Sequence, residues 1–256
     1  MKETRYFHVP DVATSGELPQ DEAVHAVRVL RLKEGDEVML MDGKGCFYEA
    51  VITLASNHHC AYNVTHMLPQ QRAWKGRLHV AVGPTKMMER MEWFAEKATE
   101  MGVDKITFLD CQFSERRTLK SERIEKIVVA AVKQSRKAWV PDVEGLVAFK
   151  DFVRIHTTGL RFIAHCYEEV ERVNLFDTLR KCFAEQLSSA DEHESQPQEV
   201  LVMIGPEGDF SIDEVRMAVE AGFISVDLGK SRLRTETAAL SAVMMMQLAQ
   251  RLSKGS

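Results

Sequence analysis

The stretch that decides the fold is EVLVMIGPEGDFSIDEVRMAVEAG, residues 199–222. Its first part, EVLVMI, is a short apolar run of the kind that forms a strand buried on both faces of a parallel sheet. Its last part, SIDEVRMAVEAG, has the pattern of a helix, and Ser211 with Glu214 matches the S-x-x-E capping box that begins one. The stretch therefore predicts a strand followed directly by a capped helix.

The junction between them, IGPEGDFS at 204–211, is rich in turn residues. Gly205 and Gly208 permit positive φ and close backbone approach, and Pro206 stiffens the turn. No Gly-Lys-Ser/Thr follows, so the junction is not a Walker loop, and it lacks the GxGxxG spacing of dinucleotide sites. From the residues alone, the junction is either an ordinary turn or a turn whose backbone also holds a ligand.

Strands alternate with helices over residues 77–252, which is the pattern of a parallel α/β sheet. Four further apolar runs predict strands: RLHVAVG, KITFLD, RFIAHC and ISVDLG. Helices are predicted for KMMERMEWFAEKATEMG, for SERIEKIVVAAVKQS, and at about 172–186, 211–221 and 236–252. Ligands of such sheets bind beyond the carboxyl ends of the strands, so AHCYEE, IGPEGDFS and LGKSRLRTETA are candidate sites.

LGKSRLRTETA, residues 228–238, combines a glycine turn with two arginines. Arg232 and Arg234 follow Gly229, and Thr235 is suited to cap the next helix, with Glu236 in its first turn. Two guanidinium groups at a strand end favour an anionic partner. The alternative is a solvated loop whose arginines face water.

The first seventy residues differ from the rest of the chain in their predicted secondary structure. Short β-rich runs alternate with glycine turns, so two strands are predicted to pair around residues 42–45, with a further strand at 61–68. We therefore predict two domains: residues 1–72 as a small β-barrel unit and residues 73–256 as the α/β unit.

One helix is predicted before those strands, over LPQDEAVHAVRVLRLKEGDEV. Ala23, Val27 and Leu30 would share its apolar face. Gly35 would end it, since glycine commonly follows the last helical turn.

Composition restricts the class of protein. The 256 residues carry a formal net charge of −5, so nucleic-acid binding would require a local basic patch. No apolar run approaches the roughly 18 residues of a membrane helix, and MKETRYFHVPD lacks the apolar core of a signal peptide. We therefore expect a cytoplasmic protein.

The five cysteines are scattered and form no CxxC pair, which favours reduced thiols over a disulfide framework. No zinc-binding spacing is present. His58 and His59 are adjacent rather than three or four residues apart, so no metal site is predicted.

IGPEGDFSIDEV and LGKSRLRTETA together resemble the signature of the RsmE family. These are ribosomal RNA small-subunit methyltransferases of the SPOUT, or α/β-knot, superfamily. Other segments agree: HAVRVLRLKEGDEV, KMMERMEWFAEKATEMGVDKI, SERR at 114–117, and AAVKQSRKAWVP. The resemblance extends from about residue 5 to residue 250, which is nearly the whole chain.

The chain departs from the family pattern at three places. Asp209 occupies the position of a usual second glycine, Lys230-Ser231-Arg232 replaces a frequent Pro-Arg-Ile, and Arg136-Lys137 follows QS in place of Gly-Arg. The first departure puts a carboxylate near the expected ligand pocket.

The resemblance implies a fold, a cofactor and an oligomeric state. Residues 1–72 would form a PUA-like β-barrel that holds RNA, and residues 73–256 an α/β domain with a trefoil knot. The protein would be a homodimer whose Met-rich last helix packs on its partner, although such a stripe also suits an ordinary core. The cofactor would be S-adenosylmethionine, and its binding residues would be Ile204, Gly205, Pro206, Gly208, Leu228, Gly229, Leu233 and Arg234.

The implied reaction is methylation of N3 of a uridine in the decoding region of 16S ribosomal RNA, free or in the assembled 30S subunit. Uridine N3 carries a proton and is a poor nucleophile until that proton leaves. Arg234 would hydrogen-bond a carbonyl oxygen as negative charge develops, and Glu207 would act as base or orienter. Because N3 lies on the Watson–Crick edge, the uridine must first be splayed out.

Basic residues cluster in two parts of this acidic chain, and as a set they favour an RNA-guiding surface. For any single residue the alternative is a solvated face. The predicted RNA-binding residues are Arg28, Arg31, Arg116, Arg117, Lys133 and Arg136.

Three other functions fit parts of the sequence. One is 2′-O-ribose methylation of RNA by an enzyme of the same superfamily. Another is a non-catalytic RNA-binding module in which the barrel is the working part. A nucleotide-binding oxidoreductase is disfavoured because GxGxxG is missing.

Overall fold

The computed structural model describes residues 4–56, 58–72, 74, 76–189 and 199–253. These residues form two compact units. The first extends to residue 72 and also contains Val129–Val140, and the second contains the rest of the chain. Within the described residues, no helix combines the length and apolar character needed to span a membrane.

The first unit contains a four-stranded sheet in the order β1-β2-β3-β4. Strand β1 is parallel to β2, whereas β2–β3 and β3–β4 are antiparallel, which confirms the strand pair predicted around residues 42–45. Phe7, Leu40 and Ile52 are fully buried in its core. The strands are β1 Tyr6–His8, β2 Glu37–Met41, β3 Cys46–Ala55 and β4 Cys60–Pro69.

The helical segment of the first unit is shorter than predicted. Helix α1 spans Val12–Ser15 and α2 spans Gln20–Val24, after which the chain forms a π-helical turn, His25–Val29. The expected end at Gly35 is wrong, because Arg31 already adopts a left-handed φ of 55° that a helix cannot continue through.

The second unit contains a seven-stranded sheet in which every strand pair is parallel. The order is β7-β6-β5-β10-β8-β11-β9, so the predicted α/β class is confirmed. The strands are β5 Arg77–Val82, β6 Lys105–Asp110, β7 Asp142–Ala148, β8 Leu160–Ala164, β9 Val173–Asn174, β10 Glu199–Ile204 and β11 Ile224–Asp227.

The sequence predicted five of these strands and missed the two at the edges. Strand β7 is half-exposed along most of its length and contains Gly145, so it lacks the apolar run of a central strand. Strand β9 has only two residues, too few for any periodicity.

Helices cover both faces of this sheet. Helix α8 packs on α3 and α6 over one face, and α5 packs on α7 over the other. This double cover explains why β10 is apolar and buried from its second residue to its last. The helices are α3 Met88–Met101, α4 Ser121–Ser135, α5 Phe149–Ile155, α6 Leu175–Ser189, α7 Ile212–Glu220 and α8 Thr235–Ser253.

Strands β5 and β10 are neighbours from which the chain departs in opposite directions. Strand β5 leads through α3 to β6 on one side, and β10 leads through α7 to β11 on the other. Such a reversal opens a crevice at the carboxyl ends of the two strands, where ligands of open α/β sheets bind. The trefoil knot stays a prediction.

The predicted capping box at the start of α7 is present. The Ser211 hydroxyl accepts a hydrogen bond from Glu214 N at 3.2 Å, and Ser211 N donates to Glu214 Oε2 at 2.8 Å. The other carboxylate oxygen, Oε1, accepts from Gln112 N at 2.8 Å. Glu214 therefore caps its own helix and ties it to the loop after β6.

We expect Glu214→Ala to lower the free energy of unfolding by at least about 2 kcal/mol, since it removes a cap and leaves the buried Ser211 amide without an acceptor. Urea denaturation would measure the loss. Asp213→Ala, which changes a highly exposed carboxylate in the same turn, should stay within about 0.5 kcal/mol of the wild type. Equal losses for the two variants would contradict the role given to Glu214.

Candidate active site

Five loops follow the central strands at the carboxyl edge of the second unit's sheet. They occupy residues 83–87, 111–117, 165–167, 205–210 and 228–234, after β5, β6, β8, β10 and β11. Because the strands are parallel, all five loops lie at one edge. Strand β8 separates β10 from β11, so the two sequence motifs follow strands about 10 Å apart.

Glycine is favoured at two positions of the 205–210 loop, because backbone packs against Gly205 and a side chain packs against Gly208. A Cβ on Gly205 would lie 2.8 Å from Phe210 N, and one on Gly208 would lie 3.0 Å from Phe113 Cβ. In the neighbouring loop, a Cβ on Gly83 would lie 2.6 Å from Pro206 N. Side chains are therefore excluded where the loops after β5 and β10 meet.

Three carboxylates of residues 207–214 each accept a hydrogen bond from the backbone of a different loop. Both Glu207 oxygens lie 3.2 Å from Lys86 N, in the loop after β5. Asp209 Oδ2 accepts from Cys166 N at 2.9 Å, in the loop after β8. Glu214 makes the corresponding bond to the loop after β6. The segment after β10 thus joins three neighbouring loops.

Asp209 takes up its position through an uncommon backbone conformation. Its φ is 64°, the left-handed region that favours glycine but that aspartate also tolerates. Its second oxygen, Oδ1, accepts from Phe210 N at 2.8 Å, and the Tyr167 hydroxyl donates to Phe210 O at 2.9 Å. The carboxylate that the sequence placed near a pocket is therefore bonded into the loop. Burial together with this carboxylate raises the pKa of the Cys166 thiol.

His165 lies between the two motifs and is buried. Its Nδ1 accepts from Tyr167 N at 3.2 Å, so its Nε2 carries the proton and donates to Ser225 Oγ at 3.1 Å. Burial lowers the pKa of His165. The imidazole is therefore neutral and acts as a fixed part of the AHCYEE strand end.

The motif after β11 has a turn of a different kind. Gly229 has a φ of 107°, and a Cβ at this position would meet no described atom within 4 Å. Glycine is therefore needed here for its backbone conformation and not for lack of space. Gly229 N donates to Asp227 Oδ1 at 2.8 Å. Leu228 and Leu233 are half-buried, and Arg234 is exposed where α8 begins.

For Glu236, in the first turn of α8, the sequence predicts only a helix-start role. The structure buries it to 8% exposure. Its Oε1 lies 3.8 Å from Arg90 Nε, whereas Oε2 has no hydrogen-bond partner among the described residues. A buried carboxylate oxygen of this kind can accept a hydrogen bond from a bound ligand.

The 83–87 loop was also missed as part of the site. Arg116 Nε donates to Thr85 O at 3.3 Å and Arg116 NH2 donates to Lys86 O at 2.6 Å. Gly83 N donates to Ile204 O at 2.8 Å. The available signal was GPTK, which begins at the last glycine of the predicted RLHVAVG strand, since glycine and proline at a strand end are typical of site loops.

Two predicted RNA-binding residues of this unit make intramolecular contacts. Arg116 holds the 83–87 loop. Arg117 forms an ion pair with Asp110 and donates to Cys111 O and Gln112 O, each at 3.1 Å. Both guanidinium groups shape the site edge.

The other four predicted RNA-binding residues belong to the first unit. Arg28 is exposed and contacts His58 Nε2 at 3.2 Å, and Arg31 is exposed. Lys133 forms a largely buried ion pair with Glu22 at 2.6 Å. Arg136 lies 5.4 Å from the centroid of the Tyr6 ring, a cation–π contact.

We expect Asp209→Ala to destabilise the protein by about 2 kcal/mol, because it removes two hydrogen bonds and strains a left-handed residue. Asp209→Gly removes the same bonds without the strain, so its loss should be smaller by about 1 kcal/mol. Urea denaturation would measure both, with the exposed Glu168→Ala as the control. Equal losses for alanine and glycine would argue against backbone strain at this position.

Comparison with known proteins identifies the family. A model of the RNA methyltransferase domain matches residues 72–247, and one of the RNA methyltransferase PUA domain matches residues 18–61. A curated relative, Ribosomal RNA small subunit methyltransferase E from Rickettsia conorii, is 29% identical over 91% of this chain and 89% of its own.

Solved structures agree with these matches. A probable rRNA-methyltransferase from Porphyromonas gingivalis is 40% identical, with a TM-score of 0.84 over 97% of this chain and 99% of its own. A putative methyltransferase from Legionella pneumophila, in complex with the bound cofactor SAM, is 27% identical, with a TM-score of 0.81 over 96% and 98%. The resemblance drawn from the sequence motifs is confirmed. The chain that carries this carboxyl-edge site therefore belongs to the RNA methyltransferase family.

Proposed function

We propose that this protein methylates N3 of a uridine in 16S ribosomal RNA, with S-adenosylmethionine as the methyl donor. The observation that carries the proposal is the pair of motif loops, 205–210 and 228–234, at the carboxyl edge of an RNA methyltransferase sheet. The Legionella relative holds the same cofactor, and the curated relative's name describes a small-subunit rRNA methyltransferase.

The residues of the motif loops fit the cofactor. Ile204 is buried, and Leu228 and Leu233 are half-buried, so these three supply apolar surface for the adenosine. We assign backbone groups of Gly205, Pro206, Gly208 and Gly229 to the cofactor, since glycine at three of these positions lets a ligand approach the main chain closely. The cofactor supplies a methyl carbon made electrophilic by its sulfonium. The unpartnered Glu236 oxygen is suited to a ligand hydroxyl or amine.

Arg234 is assigned to the reacting uracil. Its guanidinium is exposed and forms no hydrogen bond or ion pair with the described part of the chain. It is therefore available to hydrogen-bond a uracil carbonyl oxygen, which gains negative charge when the N3 proton leaves. Arg234 would also contribute to the cofactor slot through its backbone.

Glu207 fits the role of an orienter better than that of a base. Both of its oxygens face Lys86 N, so the carboxylate holds the 83–87 loop against the 205–210 loop. Glu207 is accordingly a positioning residue for the slot.

The RNA is held by residues 1–72 as the RNA-binding domain, and residues 73–256 carry the reaction. Arg28, Arg31 and Arg136 are the first unit's candidates for phosphate contacts. Arg116, Arg117 and Lys133 act indirectly, because their charges hold the loops and helices that carry the others.

A second copy of this chain is the proposed partner of α8. Met244, Leu248 and Leu252 recur every four residues on that helix and are 38%, 41% and 56% exposed. Such a stripe is apolar surface that a helix normally buries. The homodimer would act on 16S rRNA or the assembled 30S subunit, in the cytoplasm.

We expect Arg234→Ala to slow methyl transfer to 30S subunits by about 100- to 1000-fold, the usual effect of removing one group that stabilises developing negative charge. Mass spectrometry of rRNA nucleosides would follow N3-methyluridine and separate it from ribose-methylated products. Affinity for S-adenosylmethionine, measured by calorimetry, should change less than about tenfold, because the cofactor contact is through backbone.

Arg216→Ala, which changes an exposed arginine on α7, is the matched control and should transfer methyl groups at the wild-type rate. Wild-type activity in Arg234→Ala would show that Arg234 does not take part in the reaction. A ribose-methylated product would replace the proposed reaction with 2′-O methylation.

We expect the double substitution Arg28→Ala and Arg31→Ala to weaken RNA binding and to flatten its salt dependence. Each lost phosphate contact lowers the slope of log K against log salt by about 0.7 to 0.9. The double substitution Lys150→Ala and Lys181→Ala, at exposed positions of α5 and α6, should leave the slope unchanged. Identical slopes for all three proteins would exclude Arg28 and Arg31 from the RNA surface.

A further inference from the structure

A cluster of two histidines and a glutamate lies at the amino edge of the parallel sheet, opposite the motif loops. His79 is on β5, Glu199 begins β10, and His156 follows the last residue of α5. One potential ligand atom from each residue lies within 4.8 Å of the others. We propose that His79, His156 and Glu199 form a zinc-binding site.

The spacing of the donor atoms fits a tetrahedral ion. His79 Nδ1 lies 3.0 Å from Glu199 Oε1, and His156 Nδ1 lies 3.4 Å from Glu199 Oε2. Zinc bonds of about 2.0 Å in tetrahedral geometry separate neighbouring ligand atoms by about 3.3 Å. Both of these separations are within about 0.3 Å of that spacing. The ligand atoms of all three residues lie within 4.8 Å of one another, and a water would complete the coordination.

The contacts around His79 need one proton or cation more than a neutral imidazole supplies, and burial disfavours the alternative, a charged imidazolium. Three short contacts follow one another: Glu144 Oε2 to Thr107 Oγ1 at 2.9 Å, Thr107 Oγ1 to His79 Nε2 at 2.8 Å, and His79 Nδ1 to Glu199 Oε1. Each contact requires one proton or cation. The threonine hydroxyl and a neutral imidazole supply only two.

The contact that lacks a proton is the one between His79 and Glu199. Lys105 Nζ lies 2.9 Å from Glu144 Oε2 and keeps that carboxylate ionised, so the Thr107 proton points to Glu144. The His79 Nε2 proton then points to Thr107, which leaves the Nδ1 lone pair facing a carboxylate oxygen. A cation bound to both His79 Nδ1 and Glu199 Oε1 would replace this repulsion with two metal–ligand bonds.

The hydrogen bonds that link Glu144, Thr107 and His79 also resemble those that support a metal-binding histidine. In such sites the second ring nitrogen donates a hydrogen bond that fixes the tautomer and the orientation of the ring.

Burial and access both suit an ion that stabilises the fold. The His79 side chain is completely buried, with the Phe152 and His156 rings 5.7 and 5.3 Å from its own. The side chains of His156 and Glu199 are 14% and 28% exposed, so an ion can enter from solvent on their side. Bound zinc would join β5, β10 and the end of α5 at the edge opposite the motif loops.

The test is titration of chelator-treated full-length protein with Zn²⁺, followed by calorimetry and thermal unfolding. We expect one ion per chain and a rise in the unfolding midpoint. Glu199→Gln and His156→Ala should each weaken zinc binding by about 100-fold, whereas His66→Ala should not. His66 is the matched control, because it contacts Glu49 at 3.1 Å on an exposed face, and no third potential ligand joins this pair within the described part of the chain.

Co²⁺ substitution separates this site from the five free thiols of the chain. The proposal predicts a visible spectrum of a tetrahedral ion with nitrogen and oxygen ligands. A thiolate charge-transfer band, or zinc affinity that survives both Glu199→Gln and His156→Ala, would place the ion elsewhere and overturn the proposal. Absence of stoichiometric binding would also overturn it. None of these measurements depends on methyl transfer.

Discussion

Three carboxylate-to-amide hydrogen bonds organise the carboxyl edge of the second unit. Glu207, Asp209 and Glu214 follow one strand, β10, and each accepts a backbone N–H from the loop after another strand: β5, β8 and β6 respectively. Hydrogen bonds to ionised acceptors are stronger than neutral ones. The position of each loop therefore depends on one short segment, and the glycines within it keep the intervening backbones in contact.

Strand β10 lies in the middle of the sheet, and its two ends make different contacts with β5. Its register with β5 pairs Glu199 with Arg77 and Ile204 with Val82. At the carboxyl end this pairing brings Pro206 against Gly83, and at the amino end it brings Glu199 to His79. A change in register by one residue would reverse which side chains face each helix layer, so both edges would be lost together.

Local patterns predicted much of this architecture, and contacts between distant segments account for what they missed. The strand–turn–helix at 199–222 was readable because its apolar run and its capping box lie within one stretch. The sequence could not predict the intramolecular contacts of Arg116 and Arg117, since most of their partners are backbone oxygens, which leave no mark in a sequence. His79, His156 and Glu199 are 43 to 120 positions apart, and only strand pairing brings them together. The sequence could not predict the role of Asp209, because its φ and its hydrogen bond to Cys166 N both depend on the folded structure.

The order of the strands has a consequence for biosynthesis. Strand β10 lies between β5 and β8, yet it leaves the ribosome after both of them. Until it inserts, the two older strands present unpaired edges, which are the surfaces most prone to wrong pairing and aggregation. The sheet therefore closes late and through contacts between residues more than a hundred positions apart in β5 and β10, a topology that folds slowly.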